Sequence, residues 1–259
     1  MIRLPVLFML SVLSLCASAD PDSLNRQLRE ACQTGNLGIV KECLQKGADP
    51  NSRPMNSDTP LQLAVASDCM DCVSWLLKNG ADLRLNGAFG KPLGHYAASP
   101  AMADHLLSWG VTFKGVDAAG ENALMAAVRL KKIEVARYFL EKRLCKQYAK
   151  NKSGWSVLAI LMMSGPDNIC EWLDMLVSKG ANMNALDDKG WTPLMHAVRW
   201  RRLEAVKCLV QKGANTTFRD KTGKSALDLA REYERTLGGT RNVREIAAFL
   251  GGVGDKFRK

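Results

Sequence analysis

The stretch Leu44–Asp49 (LQKGAD) recurs in this sequence as Leu77–Asp82 (LKNGAD), Val177–Asn182 (VSKGAN) and Val210–Asn215 (VQKGAN). The glycines of the first two copies are 33 residues apart, and so are the glycines of the last two. A fixed period of this length is typical of solenoids, in which one small supersecondary unit stacks on the next. The sequence therefore predicts a repeat architecture.

A second block lies upstream of the glycines, and most of its copies open with a hydroxyl residue shortly before a leucine. Its five copies are Thr59–Ala64 (TPLQLA), Asn122–Ala127 (NALMAA), Ser156–Leu161 (SVLAIL), Thr192–Ala197 (TPLMHA) and Ser225–Ala230 (SALDLA). A Thr or Ser hydroxyl can accept a hydrogen bond from a free amide of the first helical turn. Proline fits the first helical position, and glycine ends a helix because it readily adopts a left-handed conformation. Each unit is therefore predicted to be a pair of helices.

These two blocks together closely resemble the ankyrin repeat, with its Thr-Pro-Leu-His-x-Ala core. The resemblance implies an all-α solenoid of about seven helix-turn-helix units with β-hairpin-like loops. The ankyrin-repeat domain is expected to span residues 20–259, and almost all of this range is expected to consist of repeats. The units are placed at residues 24–52, 55–84, 88–112, 118–145, 151–184, 187–217 and 220–250.

Several units depart from the pattern. The third is short, with Ser99-Pro100 in place of the turn between its helices. Arg143 stands where the fourth unit should have its terminating glycine. The seventh has an insertion before its last helix, which is expected over residues 242–250. Units three to five are the least regular, and we expect weak local stability or a partner-specific shape there.

The first nineteen residues differ from the rest of the chain. Arg3 precedes an apolar run from Leu4 to Leu15, and Ala17-Ser18-Ala19 follows. This is the outline of a secretory signal peptide, with cleavage expected after Ala19 and a periplasmic or secreted product. The alternatives are a retained anchor, for which the run is shorter than the roughly 20 residues of a membrane span, and a lipoprotein modified at Cys16, next to an unfavourable Leu15. We expect no stable membrane insertion after cleavage.

The chain is basic, with a formal charge of +10. Removal of residues 1–19 takes away Arg3 and no acidic residue, which leaves +9. Such a balance favours acidic partners and surfaces. Lys and Arg are scattered along the whole length, which favours a solvated repeat surface over a nucleic-acid site. We therefore expect another protein as the partner, bound through an acidic segment, and no nucleic acid; the oligomeric state stays open.

No residue pattern predicts catalysis, a cofactor or a metal site. His95 and His196 have no Ser or Cys partner at a recognisable catalytic spacing, and no Gly-x-Ser-x-Gly is present. Thr222–Ser225 (TGKS) resembles the end of a phosphate-binding loop, but Phe218 occupies the position of the required first glycine. The ankyrin resemblance places His95 at the consensus histidine, whose ring ties neighbouring loops together, and directs His196 into the stack.

Seven cysteines remain after cleavage, and this odd number in a long chain does not indicate a disulfide framework. Cys69 and Cys72 form a Cys-x-x-Cys pair without the βαβ context of a redox motif or a second pair for zinc. Reduced core thiols are the default expectation. The ankyrin resemblance allows one alternative, a disulfide from Cys32 to either Cys69 or Cys72, because these positions face each other in the stack.

Proteins similar to this one bind partners through a concave face, formed by the loop tips and by the exposed ends of the first helices. The resemblance carries this face onto aromatic, apolar and basic residues, the types that dominate binding hot spots. The candidate partner-binding residues are Phe89, Arg129, Leu130, Trp155, Lys189, Trp191, Arg199 and Trp200.

The sequence thus predicts a protein-binding scaffold, expected to be bacterial and exported, and not an enzyme. One alternative is a secreted effector that acts in a host cell. Another is a thiol redox protein that uses Cys69 and Cys72.

Overall fold

A computed structural model describes residues 20–236 and 240–256, with side chains described up to residue 253. The predicted signal peptide, residues 1–19, lies outside the described residues. Within them the regular structure is helical, and pairing of extended backbone is limited to isolated bridges. The helices are α1 Pro21–Thr34, α2 Leu37–Gln45, α3 Pro60–Ala66, α4 Met70–Lys78, α5 Pro100–Ser108, α6 Ala123–Arg129, α7 Ile133–Glu141, α8 Val157–Ser164, α9 Ile169–Ser178, α10 Pro193–Arg199, α11 Leu203–Gln211, α12 Ala226–Thr236 and α13 Arg241–Lys256.

The recurring polar residue caps the first helix of its unit, as the sequence predicts. Thr59 accepts a hydrogen bond from the backbone N–H of Gln62, whose side chain accepts one from the N–H of Thr59 in return. This reciprocal pair satisfies two amide donors that α3 would otherwise leave free. Asn122 and Thr192 cap α6 and α10 by the same bond to the third helical residue.

The described residues divide into two compact parts, with the boundary after Leu83. In the first part, α1 packs against α2 and α3, and α4 packs against α2 and α3. Leu28, Val40, Leu61 and Leu76 are fully buried in its described core. Burial of such side chains contributes roughly 1.5–3 kcal/mol each, so helices of seven to fourteen residues stay folded through packing.

The second part contains the third to seventh repeat units. Successive first helices pack side by side, α6 on α8, α8 on α10 and α10 on α12, and the second helices α9, α11 and α13 pack in the same order. The buried Ala127, Ala197 and Ala230 lie on the packed first helices. Each unit therefore buries its apolar face against its neighbours in the row.

The irregular units depart from the pattern for local reasons. In the third unit the first helix is reduced to a 3-10 turn, Leu93–Tyr96, before Ser99 caps α5. Arg143 adopts φ 54°, so it holds the left-handed conformation that glycine normally supplies after the second helix. In the seventh unit the last helix extends to Lys256, six residues beyond the predicted end at residue 250.

Candidate functional site

The hairpin tips of the fourth to seventh units share one turn. Each begins with Asp or Asn and has a glycine at positive φ three residues later; the first residues are Asp117, Asn151, Asp187 and Asp220. In every case the side-chain oxygen Oδ1 accepts the backbone N–H groups two and four residues later. Neighbouring tips are joined by backbone bonds, such as Lys221 N–H to Lys189 O at 3.0 Å. The side chains on the tips therefore project from backbone that is fixed by hydrogen bonds within each tip and between neighbouring tips.

The sixth unit carries the densest group of candidate binding residues. The guanidinium of Arg199 lies over the Trp191 ring, 5.5 Å from its centroid, and the Lys189 ammonium lies 5.9 Å from the same ring. Trp191 donates its indole N–H to Asp220 of the next tip at 3.0 Å. Both cations are exposed, whereas Trp191 is half-buried. The Trp191 ring is therefore held in place, with two positive charges next to it. We call Lys189, Trp191 and Arg199 the plate.

A buried hydrogen-bonded pair, His196 and Asp187, lies next to the Trp191 ring. His196 Nε2 is 3.0 Å from Asp187 Oδ2, and the two side chains are only 1% and 2% exposed. Burial lowers the pKa of His196, and the cations of Arg199 and Lys189 act in the same direction, whereas Asp187 opposes them. The neutral ring therefore donates its Nε2–H to Asp187. Its Nδ1 is buried without a hydrogen-bond partner.

Trp155 of the fifth unit joins this group from the other side of His196. The two ring centroids are 4.9 Å apart in an edge-to-face arrangement, and Trp191 meets the same imidazole at 5.4 Å. Such geometry is favourable for aromatic rings. The structure thus brings four predicted residues, Trp155, Lys189, Trp191 and Arg199, together around His196.

The fourth unit places Arg129 in a different environment. Its guanidinium makes two hydrogen bonds to the carboxylate of Glu121, whose side chain is 6% exposed. A third N–H lies 3.7 Å from the sulfur of Met163. Asn151 also reaches Glu121, at 3.4 Å, and its backbone turn leads to Trp155. We call the side chains of Glu121, Arg129, Trp155, Met163, Lys189, Trp191 and Arg199 the tip surface.

The three remaining candidates lie on the surface without a described ring contact or ion pair to this group. Phe89 is 66% exposed and sits at φ 56° in a short turn, an uncommon conformation for an aromatic residue. Leu130 and Trp200 are 55% and 40% exposed and follow the ends of α6 and α10. His95, in contrast, is buried and bonds through Nε2 to the carbonyl of Glu121 at 2.8 Å, which ties two neighbouring units together.

The structure corrects the cysteine pairing. Cys69 is bonded to Cys72, and a second disulfide, which the sequence did not predict, joins Cys170 to Cys208. The default expectation of reduced core thiols is therefore wrong for these four cysteines, and Cys32 is a buried free thiol, so the alternative bridge from Cys32 to Cys69 or Cys72 is not formed either. The pairing follows local geometry because Cys69 and Cys72 are only three residues apart, at the start of α4.

Sequence reasoning missed the roles of Asp187 and Asp220, which position the predicted tryptophan. The signal was present as an Asx-x-x-Gly pattern at each tip, namely Asp117–Gly120, Asn151–Gly154, Asp187–Gly190 and Asp220–Gly223. Asp and Asn favour such turns because their side chains accept hydrogen bonds from the backbone two residues later.

Across the described part of the chain, no cluster of His, Cys, Asp or Glu could hold a metal ion. None of the described helices combines the length and the apolar character needed to cross a bilayer.

Two known proteins are similar in sequence to most of this chain. The chain is 26% identical to a Danio rerio protein, "Putative palmitoyltransferase ZDHHC13", over 227 residues. These residues are 85% of this chain and 35% of that protein. It is 28% identical to the phosphate system positive regulatory protein PHO81 of Saccharomyces cerevisiae, over 76% of this chain and 17% of that protein. The chain thus spans about a third or less of the length of these relatives.

Solved ankyrin domains superpose on the chain. The human ASB11 ankyrin repeat domain matches with a TM-score of 0.65 and 24% identity, over 78% of this chain and 90% of that one. The ankyrin repeat domain of Bcl-3, a member of the IkappaB protein family, matches with a TM-score of 0.60 and 27% identity, over 85% and 96%. The family model described as ankyrin repeats matches residues 28–114 and 167–244, more than half of the chain. The chain therefore belongs to the ankyrin repeat family, whose repeats are protein–protein interaction modules.

Proposed function

We propose that this chain is an exported, non-enzymatic scaffold that captures an acidic segment of a partner protein on the tip surface. The observation that carries this proposal is the guanidinium of Arg199 over Trp191, beside Lys189. None of the ion pairs among the described residues includes Arg199 or Lys189. Both charges are therefore available to carboxylates of a ligand.

The support beneath the plate favours binding because it removes conformational freedom in advance. Trp191 is fixed by its bond to Asp220 and by its edge contact with His196. A preorganised aromatic anchor loses little entropy when a ligand arrives. Trp and Arg are also the residue types most enriched among binding hot spots. The ankyrin fold is typically a non-enzymatic binding scaffold, which agrees with this assignment.

Export is supported by the leader-like sequence of residues 1–19 and by two disulfides, since disulfides persist mainly in oxidising compartments. Fractionation of the native cells, followed by mass spectrometry of the N-terminus, tests this part. The expected product starts at Asp20 and occurs in the periplasm or the medium. A chain found only in the cytoplasm of the producing cell would contradict export, and a chain recovered from a host cell would indicate the effector alternative.

Binding is tested by affinity capture from the native envelope, followed by Trp191→Ala combined with Arg199→Ala. This double variant should lower the affinity for the captured partner at least about 100-fold, because two central anchors are lost. Arg199→Glu alone should lower it by at least about tenfold, since it reverses an exposed charge while Trp191 keeps its bond to Asp220 and its contact with His196.

The chain offers a matched control far along the sequence from the tip surface. The Lys41 ammonium lies 4.9 Å from the Trp75 ring centroid, on α2 and α4. Lys41→Ala combined with Trp75→Phe removes a cation and alters an aromatic ring at second helices, and capture should stay within about threefold of the parent. Undiminished capture by the Trp191 and Arg199 variant, with its fold intact by circular dichroism, refutes the proposed site.

A further inference from the structure

The two disulfides differ in what they hold together. Cys170–Cys208 has a sequence separation of 38 and ties α9 of the fifth unit to α11 of the sixth. Cys69–Cys72 has a separation of 3 and lies within the first turn of α4. A short loop restricts the unfolded chain much less than a long one. The Cys69–Cys72 bond therefore stabilises the fold less than Cys170–Cys208 does, and it links no two repeat units.

The surroundings of Cys69 stabilise its sulfur both in the disulfide and as a thiolate. Cys69 is the N-cap of α4, and its Sγ accepts the backbone N–H of Cys72 at 3.3 Å. This N–H, at the positive end of the helix, also stabilises a thiolate at the same place. Asp68 and Asp71 flank the pair and oppose a thiolate, but both are exposed to solvent, which screens their charges. The direct N–H contact is the stronger effect.

Two contacts of Cys69 do not require the bond to Cys72. A reduced Cys69 sulfur still accepts the Cys72 N–H, so α4 keeps its cap, and the Gly35 carbonyl at 3.6 Å is an acceptor for the S–H. Cys69 is half-buried and Cys72 is fully buried, so an external thiol meets Cys69 first. We propose that Cys69–Cys72 is a reversible thiol–disulfide exchange site for a partner dithiol or a small thiol such as glutathione, whereas Cys170–Cys208 is a structural crosslink.

The exchange is a two-electron transfer in two steps. A thiolate of the partner attacks Cys69 Sγ, a mixed disulfide forms, and the Cys69–Cys72 bond breaks with its electron pair on Cys72 Sγ, which takes up a proton. A second partner thiolate then attacks the partner sulfur of the mixed disulfide and releases Cys69 as a thiolate, which is protonated in turn. The pair is reduced to two thiols, and the partner is oxidised to its disulfide.

The remaining described thiols are poor competitors in this exchange. Cys32, Cys43 and Cys145 are free and buried. Burial raises the pKa of Cys32 to about 12 and that of Cys145 to about 11, so both stay protonated near neutral pH. Because the thiolate is the attacking species, these residues exchange slowly. The exchange proposed here is independent of the tip surface, and each proposal can fail alone.

The test equilibrates the full chain with mixtures of reduced and oxidised glutathione, quenches it with acid, and maps alkylated peptides by mass spectrometry. Cys170–Cys208 serves as the control within the same molecule. Half-reduction of Cys69–Cys72 is expected at a ratio [GSH]²/[GSSG] at least about tenfold lower than that required for Cys170–Cys208, with an unchanged circular dichroism spectrum. Equal ratios, or earlier reduction of Cys170–Cys208, overturn the proposal.

Single variants test which sulfur meets the partner thiol. Cys72→Ser leaves Cys69, whose thiolate should attack oxidised glutathione, form a mixed disulfide and release one glutathione thiolate at least about tenfold faster than the Cys72 thiol that remains in Cys69→Ser, because only Cys69 is half-exposed at the helix start. The two variants remove one sulfur each from the same turn, so they control for each other. Faster modification of Cys72 contradicts the assignment of Cys69.

Discussion

The fourth and sixth repeat units have the same backbone frame and different chemistry. Both tips begin with an aspartate that accepts two backbone N–H groups, and α6 and α10 each have seven residues. Exposed Leu130 and Trp200 follow these helices, and Lys131 and Arg201 then adopt φ 58° and 54°. An arginine ends each helix, Arg129 in one and Arg199 in the other.

Three aligned positions distinguish the chemistry of these units. Ala119 in the fourth unit stands where Lys189 stands in the sixth. Glu121 in the fourth unit stands where Trp191 stands in the sixth, and Ala126 stands where His196 stands. Glu121 therefore neutralises Arg129, whereas Arg199 lies over a ring and keeps its charge for a ligand. An arginine at this place in the repeat is thus free for the ligand contact proposed for Arg199 when its neighbour on the tip is an aromatic ring, and is paired within the chain when that neighbour is a carboxylate.

The largest expected effect concerns His196, the buried residue of the sixth unit that is replaced by Ala126 in the fourth. His196→Ala should lower the free energy of unfolding by about 2 to 4 kcal/mol, because it leaves a cavity and removes the hydrogen-bond donor to the buried Asp187 carboxylate. Chemical denaturation measures this change. His105→Ala, at an exposed position of α5, is the matched control and should change it by less than about 0.5 kcal/mol.

A small cost for His196→Ala, equal to that of the control, would mean that the plate does not depend on the ring beneath it. Trp191 would then keep its place through its bond to Asp220 alone. The sixth unit would be no more constrained than the fourth.

A smaller effect is expected when the fourth unit is made to resemble the sixth in charge. Glu121→Gln removes the carboxylate that neutralises Arg129 and keeps the size of the side chain. Affinity for a fluorescent peptide of eight glutamates, measured by anisotropy, should rise about three- to tenfold, because one more cation becomes available. Stability should fall by less than about 1 kcal/mol, since the amide oxygen of Gln still accepts a hydrogen bond from Arg129, which is 41% exposed, and no buried charge is left unpaired although Glu121 itself is only 6% exposed.

The reverse change is the control for this prediction. Trp191→Glu places a carboxylate beside Arg199 and should weaken binding of the same peptide. If Glu121→Gln leaves the affinity unchanged while Trp191→Glu lowers it, the fourth unit lies outside the binding surface.

The fold was largely predictable because the deciding signals are local. The caps at Thr59 and Thr192 and the left-handed turn at Gly47 depend on residues within one unit, and these signals repeat. The shortened third unit was recognised as irregular, but its 3-10 turn at Leu93–Tyr96 was not predicted. Helix type there depends on the packing of the neighbouring unit, which a spacing does not specify.

The candidate site was predictable only in part, because it depends on contacts between units. Family resemblance placed Trp155, Trp191 and Arg199 on one surface, and the structure brings them together around His196. Sequence spacing did not reveal that Glu121 neutralises Arg129, since the two lie eight residues apart across a turn and a helix. The Cys170–Cys208 bond joins second helices of neighbouring units, so no motif within one unit predicts it.

The smallest expected effect is a dependence of the unfolding free energy on pH. His196 in the sixth unit can titrate, whereas the aligned Ala126 in the fourth unit cannot. Burial lowers the pKa of His196 and of His95 below the ordinary value of 6.5. In the unfolded chain both rings take up a proton near pH 6.5, whereas in the folded chain they stay neutral to lower pH. The stability they contribute is therefore complete above pH 6.5 and is lost as the pH falls through their folded pKa values.

The free energy of unfolding should thus fall between pH 7.5 and pH 6.0, by less than about 1 kcal/mol for each of the two histidines. Carboxyl groups titrate near pH 4 and contribute little in this window. Urea denaturation at several pH values measures the decrease, and NMR titration of the imidazole C–H resonances assigns it to individual rings. A His196 resonance that titrates above pH 6.5 would mean that attraction to Asp187 outweighs burial, in which case the ring beneath Trp191 is charged and the plate carries a third cation.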